Sequence, residues 1–419
     1  MKNSVRTAVA AGALVALAGL SACGSGGSSD AGSGSPQVIT VWGPWSGDAE
    51  DQAAVMFDAY NASQDEYQVD YQPQEEIAQK VLTAIASGDV PDLVIWDRYQ
   101  TSLYAAKGAL MSVDDLIERD GVDTSVFYEQ ALSETQYDGQ TYGLPLIVDD
   151  RVLFYNKTLF AEAGLEPPTT WAELEADAVA LTVRDASGTL VQSGFELQDA
   201  GLFNLWCLQA GCDLVSEDSE TTAFDSAAGL EVLDFWDRLL NQDKVYDLGF
   251  SDTGDPFAEG TLAMKYDGPW ALSTYNDVEG LDYGIVEPPT GPDGDTGAIM
   301  GGLALVIPEG ATNVDGAWDF STWWTLDPAN GVTFAQVSGW PPANTEAAAD
   351  PYFASDDYAA FTATMEYAQA RPTVPGYQDV EGLALTPQIE KFMSGEISAA
   401  DALAAAAQQG DEILAEERG

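Results

Sequence analysis

From Val38 onward, apolar and polar positions fall into alternating strand-like and helix-like blocks. The run Val38-Ile39-Thr40-Val41-Trp42 is β-branched and aromatic and stops at Gly43-Pro44, which predicts a strand. Asp48 to Ala62 carries acids in its first turn and Val55, Met56, Ala59 and Tyr60 at helical spacing. Gln68 to Gln72 alternates as a strand does. Glu75 to Ser87 places Ile77, Val81, Leu82 and Ile85 on one helical face, with Gly88 to close it. Leu93-Val94-Ile95-Trp96 is continuously apolar, the pattern of a strand covered on both faces. This β-α-β-α-β order predicts an α/β fold with a parallel sheet and helices on both sides. Ligands bind such sheets beyond the carboxyl ends of the strands, and those ends carry Trp45 and Trp96-Asp97-Arg98.

The same logic continues downstream. Arg151 to Tyr155 and Gly302 to Ile307 read as strands, and Trp171 to Leu181 as a helix entered through Thr169-Thr170. Ala227 to Leu240 is amphipathic, with Leu230, Leu233, Trp236 and Leu240 in register, and Ala399 to Leu414 is an Ala-rich terminal helix. Between them, Glu287-Pro288-Pro289-Thr290-Gly291-Pro292 is a rigid, turn-rich crossing. No repeat of fixed period is present.

Composition narrows the chemistry. The 419 residues hold 15 Lys plus Arg against 69 Asp plus Glu, a formal charge of −54, which argues against binding nucleic acid or anionic lipid through charge. With 46% hydrophobic residues the chain folds, in two or three domains, under an acidic skin. There is no histidine, so Ser–His and Cys–His catalysis and imidazole-bound zinc are excluded.

Lys2 and Arg6 precede the apolar run Ala8 to Leu20, a charged segment and core of signal-peptide length (1–22). Leu20-Ser21-Ala22-Cys23 resembles the lipobox of bacterial lipoproteins, which implies lipidation of Cys23. The Gly/Ser-rich stretch 23–36 then reads as a flexible tether. Cys207 and Cys212 remain as an even pair in an oxidising compartment. One continuous helix would hold them roughly 7.5 Å apart along its axis, too far to bridge. Gly211 can end the helix and let the chain fold back, giving a loop-stapling disulfide; the alternative is two buried thiols.

Several stretches carry a family resemblance. They are Ala86-Ser87-Gly88-Asp89-Val90-Pro91-Asp92-Leu93-Val94 before Trp96-Asp97-Arg98, Tyr142-Gly143-Leu144-Pro145 through Tyr155-Asn156-Lys157, and Ala263-Met264 to Gly268-Pro269-Trp270. In this order and spacing the chain resembles the maltose-binding-protein-like carbohydrate-binding proteins of ABC importers. The resemblance implies a two-lobed flytrap with discontinuous lobes, 37–147 with 290–336 and 148–289 with 337–419, joined by a hinge. It further implies a monomeric, lipid-anchored protein on the outer face of the bacterial membrane. That protein would bind an oligosaccharide, partner the permease subunits of an importer, need no cofactor and perform no catalysis.

Sugar sites combine flat aromatic faces with carboxylates and Arg, which form charge-assisted hydrogen bonds. The resemblance assigns Trp96 to stacking, Asp97 and Arg98 to hydroxyl binding (or to a structural ion pair), and Asp149 and Asp199 to ligand carboxylates. It makes Trp270 the main platform of the second lobe. Trp45 sits where the first-strand loop would reach ligand, Trp340 either lines the cleft or packs on the hinge, and Arg371 and Tyr377 are further candidates. Asp150 and Arg151 read as hinge charges. Trp171, Trp236, Trp318, Trp323 and Trp324 fall on helical patterns and are expected to pack rather than bind. Two other classes compete: a secreted glycoside hydrolase using a carboxylate pair such as Asp149 and Asp267, and a binder of cationic solutes such as polyamines.

Overall fold

The computed structural model describes residues 35–252 and 254–418. The signal peptide, Cys23 and nearly all of the tether lie outside the described residues. The strands that position the site are β1 (Gln37–Gly43), β2 (Tyr67–Pro73), β3 (Leu93–Asp97), β4 (Gly143–Pro145), β5 (Val152–Asn156), β6 (Met264–Asp267), β7 (Tyr283–Val286) and β8 (Leu303–Val306). The helices used below are α1 (Asp48–Ser63), α2 (Ile77–Ser87), α3 (Trp171–Leu181), α4 (Phe203–Gln209), α5 (Ala227–Asp237), α6 (Trp270–Tyr275), α7 (Val314–Leu326), α8 (Pro328–Ser338) and α9 (Ala399–Arg418).

One sheet has the order β2-β1-β3-β8-β4. Its β2, β1 and β3 are parallel, as the strand–helix alternation requires, while β8 returns antiparallel between β3 and β4. Strand alternation sends successive side chains of β3 to opposite layers. Leu93 and Ile95 join a core with Met56, Phe57, Phe320 and Trp324; Val94 and Trp96 join one with Ile77, Val81 and Tyr104. The second sheet, β6-β5-β7, is antiparallel. Leu153 faces a core built on Trp171, Trp206 and Trp236, and Phe154 faces one with Phe257, Tyr275 and Phe361. Trp171, Trp236, Trp318 and Trp324 are buried and Trp323 partly so, all of them packing as expected.

The chain passes from the first sheet to the second through 146–151 and returns through 287–302. These crossings touch: Asp149 N–H donates to Gly301 O at 3.1 Å and Gly301 N–H to Asp149 O at 2.8 Å. A third segment joins them, Gln369–Ala370 pairing with Ile299–Met300. Among the described residues no helix is long and apolar enough to cross a membrane. Nine of the thirteen described lysines and arginines sit in ion pairs.

The structure joins Cys207 to Cys212, with Cα atoms 5.1 Å apart. Helix α4 ends ahead of Gly211, whose φ of 72° turns the chain so that Cys212 N–H donates to Cys207 O at 2.9 Å. Closing so short a loop limits the unfolded chain by about 2 kcal/mol. Replacing both cysteines with serine is expected to lower the urea unfolding free energy by about that amount. Ready alkylation of both thiols in the unreduced native protein would refute the bridge.

Candidate functional site

The carboxyl end of β3 is where the sequence placed the first-lobe chemistry, and the structure divides its three residues. Trp96 is 1% exposed, edge-on to Tyr104 at 5.2 Å, and presents no free face. Strand alternation turned it into the layer beneath α2, so the stacking role assigned to it does not fit. Arg98 is fully buried and also departs from its assigned role. Its Nε meets Glu134 Oε2 at 3.0 Å, and its terminal nitrogens donate to Ile147 O and Gly301 O. It is a structural ion pair, but with Glu134 rather than Asp97, and it ties the first lobe to both crossings. Trp45 is likewise spent on packing. It is 6% exposed against Phe334, Trp324 and Tyr71, and the Tyr71 hydroxyl bonds both its N–H (2.8 Å) and its carbonyl (3.0 Å).

Asp97 alone of the three reaches open space. Crowding by the surrounding walls raises its carboxyl to about 6, Arg371 only partly offsetting this. Between pH about 4 and about 6 the folded state therefore holds a proton that the unfolded chain has lost. This group's contribution makes stability fall as pH climbs from about 4 to about 6, by less than full enclosure would give because the carboxyl also reaches water. Melting temperatures of the protein and of Asp97→Asn, compared across pH 4–7, should show that fall flattened in the variant; identical slopes would contradict it.

Two adjoining cavities open beside the crossings. The first, about 240 Å³, is lined by Asp149, Arg151, Asp199, Asn204, Arg371 and Glu381. The second, about 200 Å³, is lined by Arg151, Glu196, Asp199, Lys265, Asp267 and Trp270. Of the sequence candidates, Asp149, Asp199, Trp270 and Arg371 are thus brought together.

Each cation of the cleft is already paired. Arg151 Nη1 meets Asp149 Oδ1 at 3.1 Å; Arg371 Nε meets Glu381 Oε2 at 3.1 Å; Lys265 Nζ meets Asp267 Oδ2 at 3.0 Å and Glu196 Oε2 at 3.6 Å. Burial works against the charge on Lys265, but Asp267 and Glu196 outweigh it and raise the ammonium above its ordinary range. Arg371 is held the same way, burial opposed chiefly by Glu381, and its guanidinium lies 4.9 Å over the Tyr99 ring. Glu381 also accepts from Asn204 Nδ2 at 2.7 Å. Asp199 makes no ion pair among the described residues; its carboxylate caps the turn by accepting from Gly201 N–H at 2.8 Å.

Trp270 opens α6 and is half-buried. Its six-membered ring lies so close over Gly268 that any Cβ there would collide with it, which explains Gly at that position. Trp340 tilts against it at 4.8 Å and packs on the first core, lining neither cavity. Tyr377 is buried in the second core, its hydroxyl donating to Asn204 at 3.3 Å, and acts behind the site rather than in it.

The model of the bacterial extracellular solute-binding proteins matches residues 55–363. The chain belongs to that family. This solute-binding protein is 24% identical to the maltotriose-binding protein of Pyrococcus abyssi over 325 residues, 76% of this chain and 70% of that protein. It is 27% identical to the diacetylchitobiose binding protein of Streptomyces coelicolor over 298 residues, 68% of each. Its fold superposes on the crystal structure of the cyclic α-maltosyl-1,6-maltose binding protein of Arthrobacter globiformis with a TM-score of 0.75. The identity there is 27%, over 92% of this chain and 100% of that one. The two sheets with their separate cores are the two lobes of the solute-binding fold.

The sequence reading missed Arg151, Glu196, Asn204, Lys265 and Glu381 as lining residues of the solute-binding protein, and named Asp267 only as half of a hydrolase pair. Asp267 and Lys265 had a usable signal, since they alternate on one face of the short strand that delivers Gly268-Pro269-Trp270. Glu381 had none, because its partner Arg371 lies across a turn with no periodic pattern.

Proposed function

We propose that this protein captures an oligosaccharide in the cleft between its lobes and delivers it to the permease of an ABC importer. The observation that carries the reading is the lining itself: the Trp270 indole beside the carboxylate-paired cations Arg371 and Lys265. This combination suits a ligand with apolar ring faces and many neutral hydroxyls. Ligand contact with both lobes, 37–147 with 290–336 and 148–289 with 337–419, would favour the closed state. The saccharides named for the Pyrococcus, Streptomyces and Arthrobacter proteins support the same class.

A thermal-shift panel of glucose, maltose, maltotriose, mannobiose and N,N′-diacetylchitobiose tests it, with spermidine as control. At a hundredfold excess over Kd a ligand stabilises by about 2.7 kcal/mol, a clear shift. Stabilisation by spermidine alone, or release of monosaccharide from a panel sugar, would overturn the reading.

The protein acts as a monomer held outside the cell by a lipid on Cys23. Cys23→Ser is expected to move it from salt-washed membranes into the medium or to leave it uncleaved. Wild-type protein found wholly in the medium, cut ahead of Cys23, would contradict the anchor.

A further inference from the structure

We propose that Arg151 is a removable partition in the cleft, one that sets the length of saccharide the protein prefers; this rests on the saccharide reading above. The guanidinium carbon of Arg151 lies 4.1 Å from the centroid of the Trp270 ring. Trp340 and Gly268 crowd the rest of that indole, so Arg151 covers the ring surface a pyranose would use. Arg151 also lines both cavities, which differ on either side of it: Arg371 and Glu381 face one, Lys265 and Trp270 the other. Its side chain, with Asp199 and Leu202, thus stands between two compartments of similar size, and of the three only Arg151 also covers the Trp270 ring.

Two contacts keep the wall in place, and both belong to exchangeable classes. One is a guanidinium–indole stack and the other the ion pair with Asp149, in which the Arg151 side chain remains 30% exposed. A pyranose laid on Trp270 replaces the first, and Asp199, which lines both cavities beside Arg151, accepts from the displaced guanidinium. A monosaccharide seated beside Arg371 leaves the wall standing. A disaccharide or trisaccharide must cross it, and therefore displaces Arg151 as part of binding.

The partition opposes long ligands and is neutral to short ones, so removing it shifts affinity by ligand length. Calorimetry of the protein, Arg151→Ala and Arg151→Lys with glucose, maltose, maltotriose, mannobiose and N,N′-diacetylchitobiose reads this directly. Arg151→Ala is expected to tighten the di- and trisaccharides that bind by roughly two- to fivefold, the size of a lost guanidinium–indole contact, and to leave glucose within twofold. Arg151→Lys keeps a charge for Asp149 but loses the planar stack, and should give a gain of the same sign. Weaker binding of the longer sugars by Arg151→Ala would overturn the proposal, as would an equal gain for glucose. Acrylamide quenching supplies a readout that needs no sugar: the Trp270 contribution, taken as the difference from Trp270→Phe, should rise when Arg151 is removed. An unchanged quenching constant sinks the partition itself, whereas the absence of binding by every panel sugar sinks the saccharide reading.

Discussion

Replacing Arg98 with methionine is expected to lower the unfolding free energy by about 3–5 kcal/mol, the cost of breaking a buried ion pair from one side. Both members are almost wholly enclosed, so neither can fall back on water. Burial already holds the Glu134 carboxyl above its ordinary value even with Arg98 beside it. Without the guanidinium, the carbonyl of Ile147 also loses its donor, and that of Gly301 keeps only Asp149 N–H. Urea unfolding checks the size of the loss. A second variant, Arg98→Met with Glu134→Leu, should recover much of it, because removing both charges together is often near neutral. A loss below about 1 kcal/mol in the single variant would show that the pair is not the anchor described here.

Trp270→Ala is expected to weaken saccharide binding by about 2–4 kcal/mol, the range of a binding hot spot. The indole supplies apolar area to the sugar ring and a stacking contribution of about 0.5–1.5 kcal/mol beyond burial. Because the ring is only half-buried, the apo protein should lose less than the 3–5 kcal/mol of a fully enclosed tryptophan. Calorimetry with the best panel sugar and the apo unfolding midpoint separate the two effects. A large fall in midpoint with unchanged affinity would assign Trp270 to packing. Gly268→Ala offers a gentler version: the new methyl forces the indole off its seat, and affinity should drop while Trp270 itself remains.

The architecture was legible because it rests on local periodicity. Helix α3 fell at Trp171–Leu181 and β3 at Leu93–Asp97, as apolar spacing and length indicated. The candidate site was legible at Asp149, Asp199, Trp270 and Arg371, which line the two cavities, whereas Asp97 ends β3 facing outward and lines neither. A period of two says that Trp96 and Asp97 point oppositely, but in a sheet covered on both faces it does not say which layer takes the indole. Arg98 was misassigned because its partner lies 36 residues away and its two carbonyls belong to distant crossings. Trp45 was misassigned because Trp324 and Phe334, which enclose it, arrive nearly three hundred residues later. Arg151 looked like a hinge charge since nothing near it in sequence reveals that Trp270 lies under its guanidinium.

The scarcity of unpaired cations has a consequence for how many molecules can work side by side. With nine of the thirteen described lysines and arginines paired to carboxylates of their own chain, the described exterior offers few free cations for another copy's acids to grasp. Neighbouring copies repel, and so do dissolved polyanions. A formal charge of −54 on each copy therefore works against crowding many of them into one small volume, and the opposition weakens as salt screens it.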